Sequence, residues 1–154
     1  MIKDIKIKNK DITLPNIVVL TGGVGKYVVL DKCLNLYNCV LTKAPFIAQR
    51  FLNQTFDTYV VRNFECDCRP SEQVYNVKKL VQFVKDTNKQ VILTTNSSVV
   101  LRSLYLESHE QKIEIKNIDF TDEVTNIYDL VKDGISSNTI IQCEIELYER
   151  YLKL

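Results

Sequence analysis

Leu20-Thr21-Gly22-Gly23-Val24-Gly25-Lys26-Tyr27 is the segment whose residue types and spacing carry the clearest chemistry. Its glycines follow the apolar run Ile17-Val18-Val19-Leu20 and precede residues with helical spacing. A strand, a tight turn and a helix N-terminus in that order aim several backbone N–H groups at one point. The helix dipole favours an anion at the same place. Lys26 adds an ammonium able to neutralise a terminal phosphate. The phosphate-loop pattern G-x-x-x-x-G-K-[ST] is broken twice, with Leu20 at its first glycine and Tyr27 at the hydroxyl that ligates Mg²⁺. The segment predicts anion binding through Gly22, Gly23, Val24, Gly25, Lys26 and Tyr27, with Mg²⁺ not essential. The bland alternative is a tight strand-to-helix connection in which the glycines supply positive φ and close packing.

A second polar turn, Thr94-Thr95-Asn96-Ser97, also follows an apolar run. Its residues suit a helix N-cap. Ligands of α/β sheets sit at strand carboxyl ends, so Asn96 is expected to face the same pocket as the glycine turn. Glu65 and Asp67, beside Arg62 and Arg69, read as a polar loop with exposed ion pairs. Asp57, Glu65 and Asp67 are the carboxylates open to catalysis if the chain is an enzyme. The five cysteines are an odd number and read as reduced thiols. Cys66-Asp67-Cys68 lacks the paired spacing of a zinc site, and His109 is the only histidine, so no metal is expected. His109, in the polar stretch Glu107–Gln111, is expected to be solvated.

The 154 residues fit one domain, 1–154, with 45% hydrophobic and 25% charged content. A net charge of +1 excludes a global basic field, though not a local patch. No apolar run approaches the ~20 residues of a membrane helix, and MIKDIKIKNK has no signal-peptide core. A cytoplasmic location without membrane contact is expected. Heavy use of Asn, Ile, Lys and Tyr matches an AT-rich genome, as in some viruses.

The elements that position these residues follow from periodicity. Ile2–Ile7 alternates and pairs with Asp11–Leu14 as a hairpin. Strands are expected at Ile17–Thr21, Cys39–Leu41, Thr58–Val61, Gln90–Thr94 and Lys112–Ile118. Helices are expected after the glycine turn through Tyr37, from Pro45 to Leu52, from Pro70 through Val84, and from Ser98 through Leu104. Two more are expected from Thr121 to Val131, stopped by Gly134, and from Ser137 to Leu154. In the last, Tyr148, Tyr151 and Leu152 form a stripe for either core packing or a dimer. Val18, Val60 and Ile92 belong on neighbouring central strands.

In the order of these segments, residues 2 to 106 resemble a stripped-down ABC-type ATPase of the RecF/SMC-like or overcoming-lysogenisation-defect class. Ile5-Lys6-Ile7-Lys8-Asn9, a second short strand and Val18-Val19-Leu20-Thr21-Gly22 are similar to that family's approach to its Walker A motif. With two residues deleted after Gly22, Gly23-Val24-Gly25-Lys26 falls on the family's G-x-G-K. Val91-Ile92-Leu93-Thr94-Thr95-Asn96-Ser97 is similar to its switch segment. Tyr59-Val60-Val61-Arg62-Asn63-Phe64-Glu65, with Arg69-Pro70, looks like a decayed Walker B strand and its continuation. Leu41-Thr42-Lys43-Ala44-Pro45 takes the place of the signature motif without its glycines. Gly22–Lys26 also matches the core of the K-G-G-V-G-K-T loop of ParA/MinD-type ATPases, with Thr21 and Tyr27 departing. Both resemblances imply a P-loop NTPase-like fold.

The resemblance sets Tyr27 at the Mg²⁺-ligating Ser/Thr, Arg62 at the Mg²⁺-associated Asp, Asn63 at the catalytic Glu and Asn96 at the switch His. A guanidinium cannot bind Mg²⁺, and Asn cannot serve as a carboxylate base. The expected protein is α/β, with a mixed, mostly parallel central sheet, flanking helices and an N-terminal β-hairpin. Its expected role is that of a catalytically impaired ABC-type ATPase-like binding protein holding ATP or another nucleotide. It would act through a protein partner, a related ATPase or a second copy of itself, or through nucleic acid. A small active P-loop ATPase or phosphotransferase, and a purely structural interaction protein with a vestigial pocket, are the alternatives.

Overall fold

The computed structural model describes residues 1–46, 56–121 and 124–154. Strands β1 (Asp4–Ile7) and β2 (Lys10–Thr13) form an antiparallel hairpin in which Ile7 pairs with Lys10. Lys8 and Asn9 between them take positive φ, 47° and 63°, as a two-residue hairpin turn of matching twist requires. Ile5, Ile7 and Ile12 are buried while the residues alternating with them face water.

The other strands are β3 (Ile17–Gly22), β4 (Cys39–Thr42), β5 (Thr58–Val61), β6 (Gln90–Thr94), β7 (Ile115–Phe120) and β8 (Thr125–Asp129). They form one sheet in the order β4-β5-β6-β3-β7-β8. Neighbours pair parallel throughout, except that β8 runs antiparallel to β7. Val18 pairs with Ile92, and Ile92 with Val60, as the apolar runs predict.

Burial on both faces explains why these strands read as continuous apolar runs. Helix α1 (Gly25–Leu36) and the hairpin cover Val18, Leu20, Val60, Ile92 and Ile118. Helices α2 (Pro70–Thr87) and α3 (Ser98–Gln111) cover the opposite face, where Ile17, Val19, Tyr59, Val61 and Leu93 lie. In α2, Pro70 sits in the first turn and the Arg69 N–H donates to Glu72 Oε2 at 2.9 Å, so the chain enters the helix already capped. Val77, Leu80, Val81 and Val84 then recur at helical spacing and are buried. Gln90 ties the amino end of the sheet together, accepting the Ile2 N–H at 2.9 Å and donating to the Ile2 carbonyl at 2.7 Å.

Several expectations are corrected. The helix expected from Thr121 to Val131 is instead strand β8 followed by the short helix α4 (Leu130–Asp133), which Gly134 ends. Thr121 does not cap a helix. Its hydroxyl donates to the Val124 carbonyl and accepts the Val124 N–H, tying the end of β7 to the start of β8. Asp129 caps α4 by accepting the Val131 and Lys132 N–H groups. Strand β7 starts at Ile115, three residues later than expected, because Lys112 ends α3 in the left-handed conformation, φ 53°. The last helix, α5 (Thr139–Leu152), starts after its cap Asn138. Ala44–Phe46 forms a 3-10 turn, and the rest of the helix expected from Pro45 to Leu52 lies outside the described residues. His109 is exposed as expected, but on α3 rather than in a loop.

Candidate functional site

Strands β3 and β6 are neighbours, yet the chain leaves them toward opposite faces of the sheet. After β3, α1 packs on the Val18 face; after β6, α3 packs on the Ile17 face. Their carboxyl ends therefore form a topological switch point, the kind of place where α/β sheets hold ligands. The glycine turn forms one wall and Thr94–Ser97 the other.

Gly22 enters the turn at φ 87°, and a Cβ there would lie 2.1 Å from the Phe120 carbonyl oxygen. The Gly23 N–H donates to that same oxygen at 2.7 Å. A Cβ on Gly25 would come within 2.8 Å of the Phe120 ring. Glycine is thus needed to bring β3 hard against the end of β7 and start α1 at once. The Lys26 and Tyr27 N–H groups fold back onto the Gly23 and Val24 carbonyls, at 3.3 and 3.0 Å. The Val24 and Gly25 amides have no acceptor among the described residues, so they are the donors left for a ligand.

Lys26 is only 3% exposed. Its Nζ donates to the Gly22 carbonyl at 2.6 Å and to Asn96 Oδ1 at 3.2 Å, joining the two walls. Burial pulls the ammonium below its ordinary pKa, and the Glu65 carboxylate opposes that shift. Glu65 accepts the Thr95 hydroxyl at 2.6 Å and the Asn96 N–H at 3.0 Å, clasping the second wall. The cap of α3 is Ser97, whose hydroxyl accepts the Val100 N–H; Thr95 and Asn96 serve the Glu65 clasp instead.

Tyr27 crosses from one wall to the other. Its hydroxyl donates to Asn63 Oδ1 at 2.7 Å, and its ring lies 4.6 Å from both Lys26 Nζ and the Arg62 guanidinium. Asn63 itself is held in the left-handed conformation, φ 52°, with its N–H on Thr94 Oγ1 at 2.8 Å. The site therefore sets two cations on one phenol, Lys26 with the Glu65 carboxylate near it and Arg62 paired with Asp31, and leaves two open amides at a helix start. The open amides and the two cations are the groups that a phosphate or another compact anion would engage.

All the residues expected to bind an anion come together: Gly22, Gly23, Val24, Gly25, Lys26 and Tyr27 on one wall, Asn96 on the other. Two of the expected carboxylates do not join them. Asp57 lies at the amino end of the sheet, 3.2 Å from Lys89 Nζ, because it precedes β5. Asp67 sits on an exposed turn at φ 58°. Arg62 pairs with Asp31 at 3.7 Å rather than with Glu65 or Asp67. Among the described residues no group of three or more His, Cys, Asp or Glu is placed to hold a metal. Cys33 is buried in the core, which pushes its thiol up to about 12.

A buried polar cluster behind the turn escaped the sequence reading. Asp119 accepts the Thr21 hydroxyl at 2.8 Å, the Thr139 N–H at 2.9 Å and the Thr139 hydroxyl at 3.0 Å. Asn138 Nδ2 reaches Thr21 Oγ1 and Asn117 Oδ1, at 2.9 and 2.8 Å. The cluster fastens the start of α5 to the carboxyl ends of β3 and β7, directly behind Gly22. Its signal was Asn117 and Asp119 alternating with apolar residues inside a strand, where a polar side chain must find partners.

The chain matches no protein-family model and no curated protein. No helix among the described residues is long and apolar enough to cross a membrane.

Proposed function

We propose that the protein is a binding protein with a degenerate ABC-type ATPase-like site, which holds a nucleotide phosphate or similar anion without hydrolysing ATP. The observation that carries this reading is the hydrogen bond from Tyr27 to Asn63. Under the resemblance, Tyr27 takes the place of the Mg²⁺-ligating hydroxyl and Asn63 that of the catalytic carboxylate. Bonded to each other, they fill with a phenol ring the space in which a metal and its water would work. Arg62 stands beside them where a metal-binding carboxylate would be, so its guanidinium takes over charge neutralisation. Efficient ATP hydrolysis needs a metal to gather charge and a group to position water. Neither is supplied by Tyr27, Arg62, Asn63 or Asn96. The function then runs through a partner, a related ATPase or a second copy, or through nucleic acid.

A second reading, the purely structural protein, is favoured by Lys26 itself. Its ammonium already has partners in Gly22 and Asn96, so the pocket is satisfied when empty. A thermal-shift series with ATP separates the two, and a phosphate-release assay on the same sample tests catalysis. The expected result is a rise in melting temperature with ATP and no phosphate release above background. Mg²⁺-dependent turnover that disappears in Lys26→Ala would overturn the proposal in favour of an active enzyme, with Glu65 the one of the three expected carboxylates that lies beside the site. No shift with ATP would leave the structural protein.

A further inference from the structure

Strand β8 ends the sheet, with no strand beyond it among the described residues. Its residues, Thr125 to Asp129, include neither the lysine nor the proline with which exposed sheet edges are commonly blocked. The bonding pattern fixes which of its groups point outward. The Phe120 carbonyl turns toward the end of β3, where it accepts the Gly23 N–H, and the Asp129 N–H turns to Asp133 Oδ2. Phe120 with Thr125 and Lys116 with Asp129 are therefore non-hydrogen-bonded pairs, and by alternation Asn126 and Tyr128 exchange bonds with β7. Thr125 and Ile127 direct their N–H and C=O away from the sheet, and neither backbone bonds a described residue outside it.

A groove of about 370 Å³ lies between β8 and the hairpin. Ile7 and Ile12 of the hairpin line one side; Val124 and Ile127, 53% and 38% exposed, line the other. Thr125 shares this lining, and its hydroxyl is enclosed without a hydrogen-bond partner among the described residues. An unmet hydroxyl is rare in a folded chain, and rotation about χ1 lets it meet a polar group that enters the groove. Lys8 and Lys10, exposed at the hairpin tip, give the rim a positive character.

We propose that β8 is a docking edge for an extended, acidic segment of a partner protein, which adds to the sheet as a further strand. Its main chain pairs with Thr125 and Ile127. Alternate side chains face the groove, apolar against Ile7, Ile12 and Ile127 and acidic beside Lys8 and Lys10. A second copy suits the edge less well. A dyad pairing β8 with β8 keeps both hairpins on one face of the joined sheet and sets their lysine-bearing tips against each other. The proposal does not rest on the anion site.

The probe is a fluorescein-labelled peptide, Glu-Thr-Val-Thr-Val-Thr-Glu, whose valines and glutamates share one face of a strand in either direction of pairing. Amide hydrogen exchange resolved by NMR reads the edge directly. In the free protein, the Thr125 and Ile127 amides are expected to exchange faster than those of Asn126 and Tyr128. Saturating peptide should slow Thr125 and Ile127 by about tenfold or more and leave Asn126 and Tyr128 unchanged. Fluorescence anisotropy gives the affinity. Lysine in place of both peptide glutamates should weaken binding by about fivefold, and Lys10→Glu should reverse that preference. Thr125→Val should bind the acidic peptide more weakly without lowering the melting temperature. Absence of binding by the acidic peptide, or binding that leaves Thr125 and Ile127 unprotected, would overturn the proposal. So would protection of those amides that rises with protein concentration alone, which would give the edge to a second copy. Equal affinity for the two peptides would overturn the charge preference, and wild-type affinity in Thr125→Val the part given to the hydroxyl.

Discussion

Lys26 reaches its partners because the glycines on either side of Val24 let α1 begin against the end of β7. Gly22 is the most constrained of them, since its φ of 87° and the Phe120 carbonyl oxygen both exclude a side chain. Gly22→Ala should therefore cost at least ~2 kcal/mol of stability in urea unfolding, from backbone strain together with the steric clash. Gly23→Ala has a nearest contact of 3.5 Å and no positive φ, and should be nearly neutral. Equal effects of the two substitutions would contradict this account of the turn. The turn itself was legible in the sequence, because glycines clustered between an apolar run and helix-spaced residues mark a tight connection that needs the positive φ and close approach other residues avoid. The Tyr27–Asn63 bond was not, since a contact across 36 residues depends on how β5 lies relative to α1. Glu65 was read as a surface ion-pair residue because a chain position does not reveal that its loop folds back over β6.

At the scale of elements, the strands with two buried faces were the most legible, since only a central strand accommodates an unbroken apolar run. Strand β8 was mistaken for a helix because its flanking residues mimic cap and stop signals. Pairing with β7 overrode them, and Thr121 bonds Val124 instead. Helix α5 was foreseen, but its attachment was not, because that rests on polar residues from three separate strands and loops. One further latch holds it, Glu144, which accepts from Ser98 and Arg102. Those hydrogen bonds hold its carboxyl below the ordinary value of 4.5. A carboxylate with a depressed folded-state pKa contributes stability that is complete above its unfolded value and lost as pH falls through the folded one. Thermal melts should therefore show α5 docking weaken once the pH drops below about 4.5. Glu144→Gln should be less stable than wild type at neutral pH and converge with it in acid. A constant difference at all pH values would mean that the carboxylate charge plays no part.

For the whole molecule, composition and periodicity led to the α/β class with a mostly parallel sheet and an N-terminal hairpin, and the strand pairings agree. They set Asn96 beside the glycine turn, but they could not indicate that Asn63 and Glu65 join them, because that depends on sheet order and on how the loop after β5 folds back. Sheet order brings the Arg62 cation to Tyr27, whose sequence neighbour Lys26 supplies the other. The central claim is that this switch point holds a phosphate-bearing ligand with its own cations in place of a metal. The most direct test is a calorimetric titration of ATP into wild type and Lys26→Ala, each in Mg²⁺ and in EDTA. The account predicts the same wild-type affinity in both buffers. It also predicts at least a tenfold loss in Lys26→Ala, about 1.4 kcal/mol. Wild-type binding that needs Mg²⁺, or that is untouched by Lys26→Ala, would contradict it.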